Sequence, residues 1–309
     1  MISRMEAIPL ELLAGAHPGR LMALAIRDWA AIVILWFAAS RVPAQNRFWV
    51  YPFVMMLLAG RFHALGVVLH DAVHLPRAIK TRLLRVLEFL AGYPIGTTIE
   101  AMRYHHLGHH RNLGHSADPY LKSWVGRSRW RFWLFSLRYF LLVPLWILRA
   151  FYGAAASKLP ALRKSYAKLF LQDRSNSCLT NSSEVSVCAR EDRWQALFFV
   201  CVGALAMFQV RWLALYYFVP LVLAGYLAGL RLLMEHFQES AAGCNSRDAI
   251  IHLTRNHHLG VVGKLLLAPH NVGYHLVHHL HPQTGLEHLP ELHQWYEQNG
   301  SYQARALSD

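Results

Sequence analysis

Phe48–Leu69, FWVYPFVMMLLAGRFHALGVVL, runs directly into His70-Asp71-Ala72-Val73-His74. A hydrocarbon core needs about 20 mainly apolar residues per helix, and this stretch is that long. Histidine is costly among apolar side chains, because both ring nitrogens need partners. Two histidines four residues apart share one helix face, so His70 and His74 point the same way at the end of the span. The stretch therefore reads as a membrane helix that delivers imidazoles to one membrane surface.

Composition agrees with that reading. The 309-residue chain is 54% hydrophobic and 16% charged with mean hydropathy +0.21, whereas soluble domains carry nearer a quarter charged residues. Disorder, collagen and a disulfide-stapled mini-domain are excluded by the same figures. Histidines number 20 and outnumber the 18 acidic residues. The net charge of +13 does not point to nucleic acid, because the basic residues flank apolar stretches and form no recognition motif or arm. In a membrane protein the excess is the positive-inside signature. Cys178, Cys188, Cys201 and Cys244 are too few and too dispersed for a disulfide framework. Cys178 and Cys188 can pair in a polar loop, but free thiols on a reducing face are expected. The opening MISRMEAIPLELLAGAHPGR does not read as a cleaved signal peptide.

Working outward, the expected fold is an all-α integral membrane protein forming a single domain over 1–309, with two transmembrane hairpins. The expected spans cover about 29–40, 48–69, 194–208 and 212–234. Arg27 and Asp28 delay the first span to near Trp29. The segment 83–98 is short and broken by Gly92, Pro94 and Gly96, so it reads as re-entrant or interfacial. The segment 130–156 carries Arg131, Arg138 and Arg149, and is read as interfacial with its arginines reaching headgroups. A polar loop is expected over 173–193, and a histidine-rich cytoplasmic cap after Glu235. Under this topology 27 basic residues lie on the cluster side and three (Arg41, Arg47, Arg211) on the other, which makes the cluster face cytoplasmic.

Two further clusters follow the first: His105-His106-Leu107-Gly108-His109-His110 and Asn271-Val272-Gly273-Tyr274-His275-Leu276-Val277-His278-His279. On helices His106, His109 and His110 share a face, as do His275, His278 and His279. Each cluster alone is compatible with histidines that merely hydrogen-bond; together they indicate metal. Imidazole suits zinc, copper, iron and nickel, and eight such groups exceed what one ion takes, so two metals are implied. Metal-bound histidines usually donate their other N–H to a carboxylate or carbonyl. Asp71, Asp118 and Glu235 stand close enough in sequence to do this. Asn271 either holds a metal-bound water or caps a helix, and Glu100 reads as a helix cap. Of the remaining histidines, His63 reads as a core hydrogen-bonding residue, and His270 is placed with others in the solvated cap.

The HDAVH, HHLGHH and NVGYHLVHH stretches, in that order with apolar hairpins between them, resemble the membrane fatty acid desaturase superfamily and its hydroxylase and ketolase relatives. The likeness runs from about Trp29 to His293. It implies two non-haem ferrous ions held by the eight box histidines and one more, and the residue matching that ninth ligand is His236 in RLLMEH. The second box reads either as HxxHH from His106 or as HxxxHH from His105; Arg103 before it and Asp118-Pro119 after it favour His106. The resemblance also implies O2 as co-substrate, an acyl substrate on lipid, coenzyme A or acyl carrier protein, and a bacterial inner-membrane location. The absence of flavin, haem or iron–sulfur signatures calls for an external electron donor of ferredoxin or cytochrome type, and the basic face suits an acidic one. The leading expectation is a desaturase. A hydroxylase or ketolase of the same superfamily is the alternative, followed by a zinc-dependent membrane hydrolase or a metal transporter.

Overall fold

A computed structural model describes residues 7–299, except 78–80, 123–124, 126–127, 175–181, 238, 242–245 and 258. Cys178 and Cys244 thus lie outside the described residues; Cys188 is a buried free thiol and Cys201 an exposed one. The described chain is helical, with isolated bridges and no named strand.

Helix α1 (Pro18–Ser40) starts well before Trp29. His17 caps it, its Nδ1 accepting from the Gly19 N–H at 3.2 Å, and Pro18 supplies a preset φ at the first position. The charges that argued against so early a start are internally satisfied. Asp28 is fully buried, bonded to Arg61 of α2 (Arg47–Ala72) at 2.9 Å and to His270 at 2.7 Å. His270 is therefore a clamp between α1 and the C-terminal region and no part of a solvated cap. The C-terminal half of α2 is almost wholly buried, packed against α1 and α9 (Val219–Glu235) around Leu58, Phe62, Leu65 and Leu221.

The stretch after α2 is broken, as the glycines and proline required. Helix α3 (Arg82–Leu87) passes into a π turn (Glu88–Gly92) and a 3-10 turn (Tyr93–Ile95). Gly96 then turns the chain at φ +89°, against Trp146, a conformation that favours glycine. Helix α4 (Ile99–Asn112) begins there with a firm N-terminus. Thr98 Oγ1 accepts from Ala101 N at 3.2 Å and Glu88 Oε1 from Ile99 N at 2.7 Å.

Next come α5 (Arg129–Ser136), α6 (Leu142–Lys158), α7 (Arg163–Leu169) and α8 (Ser182–Leu213). Two sequence expectations fail here. The stretch 173–193 is not a loop throughout: α8 starts at Ser182 and buries Val185, Cys188 and Ala189 at helical spacing. Arg149 does not reach headgroups. It is 1% exposed and donates to Asp192, Gln195, Thr97 Oγ1 and the Gly96 carbonyl, while Tyr166 donates to the same Asp192 at 2.6 Å. A fully bonded buried guanidinium has no need of water.

Four helical runs are long and apolar enough to cross a membrane: Pro18–Ser40, Ala44–Ala72, Arg129–Lys158 and Ser183–Glu235. At about 1.5 Å per residue the last would be well over twice a bilayer core if straight. It folds back instead. Near its start Cys188 Sγ contacts the Glu100 carbonyl, and past its end His236 meets His109, so both ends lie on α4. The helical dihedrals break at Gln209 (φ −132°, ψ 36°). Large exposed apolar side chains such as Ile34, Phe37, Phe53, Leu148 and Phe208 coat these runs, a surface suited to lipid.

The chain beyond Glu235 forms α10 (Ser246–Leu253), α11 (Val261–Leu266), α12 (His275–Leu280) and α13 (Leu289–Gln298). Of these, α11 lies along α2, where a Cβ on Gly60 would come within 2.7 Å of the Leu265 carbonyl.

Candidate metal centre

Four elements converge on the site. The end of α2 presents His70 and His74, α4 presents His106, His109 and His110, the residue after α9 is His236, and α12 presents His275, His278 and His279. Each is locally fixed. Arg103 of α4 donates to the Val73 and Leu75 carbonyls (3.0 and 3.3 Å) and pairs with Glu100 at 2.7 Å, which pins the end of α2 beside the second box. His236 is extended and bridged to Thr254, and the flanking Arg255 N donates to the Glu235 carbonyl at 3.0 Å. The first turn of α12 is capped by Asn256, whose Oδ1 accepts from Leu276 N (2.9 Å) and Val277 N (3.4 Å).

The histidines sort into two buried quartets, His70, His74, His106 and His278, and His109, His236, His275 and His279, with the potential ligand atoms of each within 4.8 Å of one another. His110 touches both. Its Nε2 is 3.0 Å from His106 Nε2 and its ring stacks on His279 at 4.2 Å. His106 and not His105 turns into the cluster; His105 bonds back to the Ala101 carbonyl at 3.0 Å.

The tautomers suit the second quartet to a cation. His109 Nδ1 donates to Asp118 Oδ1 at 2.8 Å, and His236 Nδ1 donates to the Leu232 carbonyl at 2.9 Å. In the neutral rings both Nε2 atoms are then bare lone pairs, yet they stand 2.9 Å apart. Lone pairs at that distance repel unless a cation lies between them. Four further Nε2 separations in this quartet are 3.0 to 3.3 Å. Metal–imidazole bonds of about 2.0–2.1 Å set two ligand nitrogens at 90–109° roughly 2.9–3.4 Å apart. In the first quartet His70 Nδ1, His74 Nδ1 and both nitrogens of His278 are buried without a hydrogen-bond partner among the described residues. Such groups are rare in folded proteins and point to an unseen ligand. The donor set fits two metal ions.

Electrostatics favours the ligand form. Burial first, then neighbouring imidazoles, holds His106, His110, His275, His278 and His279 well below the usual histidine range. Burial and Arg103 push His74 down to about 4, and burial and His109 push His236 down to about 3. Metal ligation requires neutral imidazole. Burial raises the Asp118 carboxyl, but His109 and the Tyr120 and Gly114 N–H groups outweigh it, leaving Asp118 below its ordinary value.

Of the expected supporting residues, Asp118 sits beside His109, and Glu235 lies 3.5 Å from His275 Nδ1. Asp71 does not orient a histidine. Its oxygens make no hydrogen bond among the described residues, and its side chain faces the Leu286 backbone, Glu287 and Arg20, because it is rotated about a quarter turn round α2 from His70. Asn271 neither faces the metal site nor shares a helix with His275. It sits at φ +66° in a separate 3-10 turn and donates to the Leu286 carbonyl at 3.2 Å. Asn256 is the capping residue in its place. Sequence reading missed it, as it missed Tyr120, whose ring stacks on His109 at 4.3 Å.

A cavity of about 530 Å³ opens against the first quartet, lined by His70 and His106. Phe62, Val67, Ile95, Val143 and Leu221 form its apolar wall. Lys122, Arg138, Lys168 and Arg174 line it as well, the last three exposed and marking its mouth. Burial, then Arg174 and Arg138, pushes Lys122 down to about 7.

Residues 46–307 match the fatty acid desaturase family, and the chain belongs to it. No curated protein and no solved structure matches. Membership implies an oxidoreductase of the desaturase or hydroxylase kind, and with four apolar helices and buried histidine clusters it describes a metal-binding membrane enzyme.

Proposed function

We propose that the chain is an O2-dependent di-iron desaturase that introduces a double bond into a long acyl chain. The observation that carries this is the cavity: an apolar channel whose wall includes two members of one imidazole quartet, with a second quartet directly behind it. His70, His74, His106 and His278 would hold one iron, and His109, His236, His275 and His279 the other, with His110 between them. When bound, the irons supply the power to oxidise an unactivated C–H bond with O2. Everything else is done by the protein. The apolar wall aligns the chain and excludes water, while Lys122, Arg138, Lys168 and Arg174 face the anionic head of a lipid, coenzyme A or carrier-linked substrate. Asp118 and the Leu232 carbonyl keep the His109 and His236 tautomers with Nε2 free. The membrane topology in this reading has four crossings. The first hairpin is α1 and α2, and the second is the run 183–235 doubled at Gln209. The metal centre lies on the cytoplasmic face, where a ferredoxin or cytochrome delivers electrons.

The test is lipid profiling by mass spectrometry of a host expressing the chain or its His109→Ala and His278→Ala variants, alongside metal analysis of the purified protein. A new alkene made only by the parent chain, with two irons bound, is expected. One zinc without iron would sink the reading, as would activity surviving either substitution; an alcohol or ketone product would move the chain to the hydroxylase or ketolase branch.

A further inference from the structure

The acyl cavity reaches one quartet and stops short of the other. Its wall includes His70 and His106 of the first quartet and, among the described residues, no member of the second. Yet the two quartets adjoin: the His106 and His109 rings on α4 are only 6.3 Å apart. Tyr120 stands where they divide. It belongs to the cavity wall, and its ring stacks on His109 with centroids 4.3 Å apart and planes 29° from parallel. The same ring lies 6.4 Å from His106 of the first quartet and 6.3 Å from His236 of the second. A side chain that lines the cavity and covers a ring outside it lies between the two.

The local chain fixes this ring. Asp118 Oδ1 accepts from Tyr120 N and from His109 Nδ1, both at 2.8 Å. One oxygen thus sets both the start of Tyr120 and the orientation of the imidazole beneath it. Arg174 Nη1 donates to the Asp118 and Leu121 carbonyls, each at 2.9 Å, and Lys122 Nζ donates to the Pro119 carbonyl at 2.6 Å. A turn bonded at so many points leaves its aromatic ring little room to swing. Stacking also suits the task, because a flat ring covers the face of an imidazole and leaves both edge nitrogens to their partners.

We propose that Tyr120 is a positioning residue that screens the second quartet from the acyl channel, so that the acyl chain and any small molecule entering with it meet the first quartet alone. The proposal rests on the reading of two metals beside an acyl channel. The competing role for Tyr120 is simple packing support for His109, and the test separates the two.

Purified iron-loaded full-length protein in lipid nanodiscs, without oxygen or electron donor, is challenged with bipyridyl, a flat apolar chelator suited to an apolar channel. Released metal is followed over time by mass spectrometry. In the parent protein one ion per chain is expected to leave in a fast phase, which saturating hexadecanoic acid slows, and the other in a separate slow phase. Tyr120→Ala is expected to lose the slow phase while the channel is empty, and to release neither ion quickly once hexadecanoic acid fills it. Tyr120→Phe, which keeps the ring, is expected to match the parent. Fast release from Tyr120→Ala that persists in the filled channel overturns the proposal, since a merely loosened His109 loses its ion by any route. Single-phase release from the parent, or a phenylalanine variant that behaves like alanine, overturns it as well. Tyr120→Leu, which keeps a contact with His109 but covers less of its face, is expected to give an intermediate slow phase and carries the same comparison if the alanine variant does not load both ions. A parent protein that shows the two phases but oxidises no acyl chain supports the screen and defeats the desaturase reading.

Discussion

Asp118→Asn isolates one quartet from the other. The carboxylate is 2% exposed and makes three bonds: Oδ1 accepts from His109 Nδ1 and Tyr120 N, both at 2.8 Å, and Oδ2 accepts from Gly114 N at 3.0 Å. An asparagine of the same shape can keep its oxygen on His109 and Tyr120, but its NH2 then faces the Gly114 N–H. That leaves a buried donor unmet and reduces a charge-assisted bond to a neutral one, at a combined cost of about 2–4 kcal/mol. The flipped amide turns its NH2 toward His109, drives the hydrogen to Nε2 and removes that nitrogen as a ligand. Either way the second quartet loses affinity by about 10–100-fold, while the first contains neither His109 nor any partner of Asp118. Under a graded chelator challenge, iron measured by mass spectrometry is expected to fall from two per chain toward one at concentrations that leave the parent protein intact. Acyl oxidation is expected to fall with it. If the variant loses both irons together, or neither before the parent does, then Asp118 does not work through His109.

Three other outcomes follow from the same geometry. Asn256→Ala removes the acceptor for the first turn of α12, worth about 1–2 kcal/mol, and because α12 feeds both quartets the iron content of both is expected to drop in parallel. Arg149→Met leaves Asp192 buried and uncompensated, so a loss of about 3–5 kcal/mol is expected as a lower melting temperature, largely recovered in the Arg149→Met, Asp192→Leu double variant. Lys122, lowered to about 7, is charged below that pH and neutral above it; KM for an anionic acyl substrate is therefore expected to rise as pH rises through about 7, and Lys122→Met to flatten that profile, whereas a flat parent profile would remove Lys122 from head-group binding.

The histidine boxes were legible because ligand spacing on a helix is local: i, i+3 and i+4 can be read from one segment. How the boxes combine was not. A shared face suggests that His106 and His109 serve one ion, and so too His275 and His278. In the structure each pair is divided: His106 and His278 join one quartet, His109 and His275 the other. A turn of helix spans about 5 Å, enough to place residues three apart on either side of a seam between two neighbouring sites. The other misses are non-local as well. Asn256 caps a helix twenty residues away, and Arg149 finds Asp192 across 43 positions. Asp28, which weakened the first span as read from sequence, is satisfied by a residue 242 positions downstream. In each case a polar residue has its partner far along the chain, on a separate element.

That division makes both sites depend on α4 as well as on α12. Helix α4 supplies one member to each quartet plus His110, whose ring contacts both. Its register is set at one end by Thr98 and Glu88, along its length by Arg103 gripping the end of α2, and beyond its C-terminus by Asp118 closing on His109. A rotation of α4 would draw His106 from one quartet and His109 from the other at once, so the two sites are mechanically one. The anchoring is correspondingly polar and buried where the surrounding spans are apolar. Holding two clusters of neutral imidazoles in place requires directional bonds that hydrophobic packing does not provide. Four carboxylates serve that anchoring: Glu88, Glu100, Asp118 and Glu235 contact α4 or a residue the site depends on, and none belongs to either quartet.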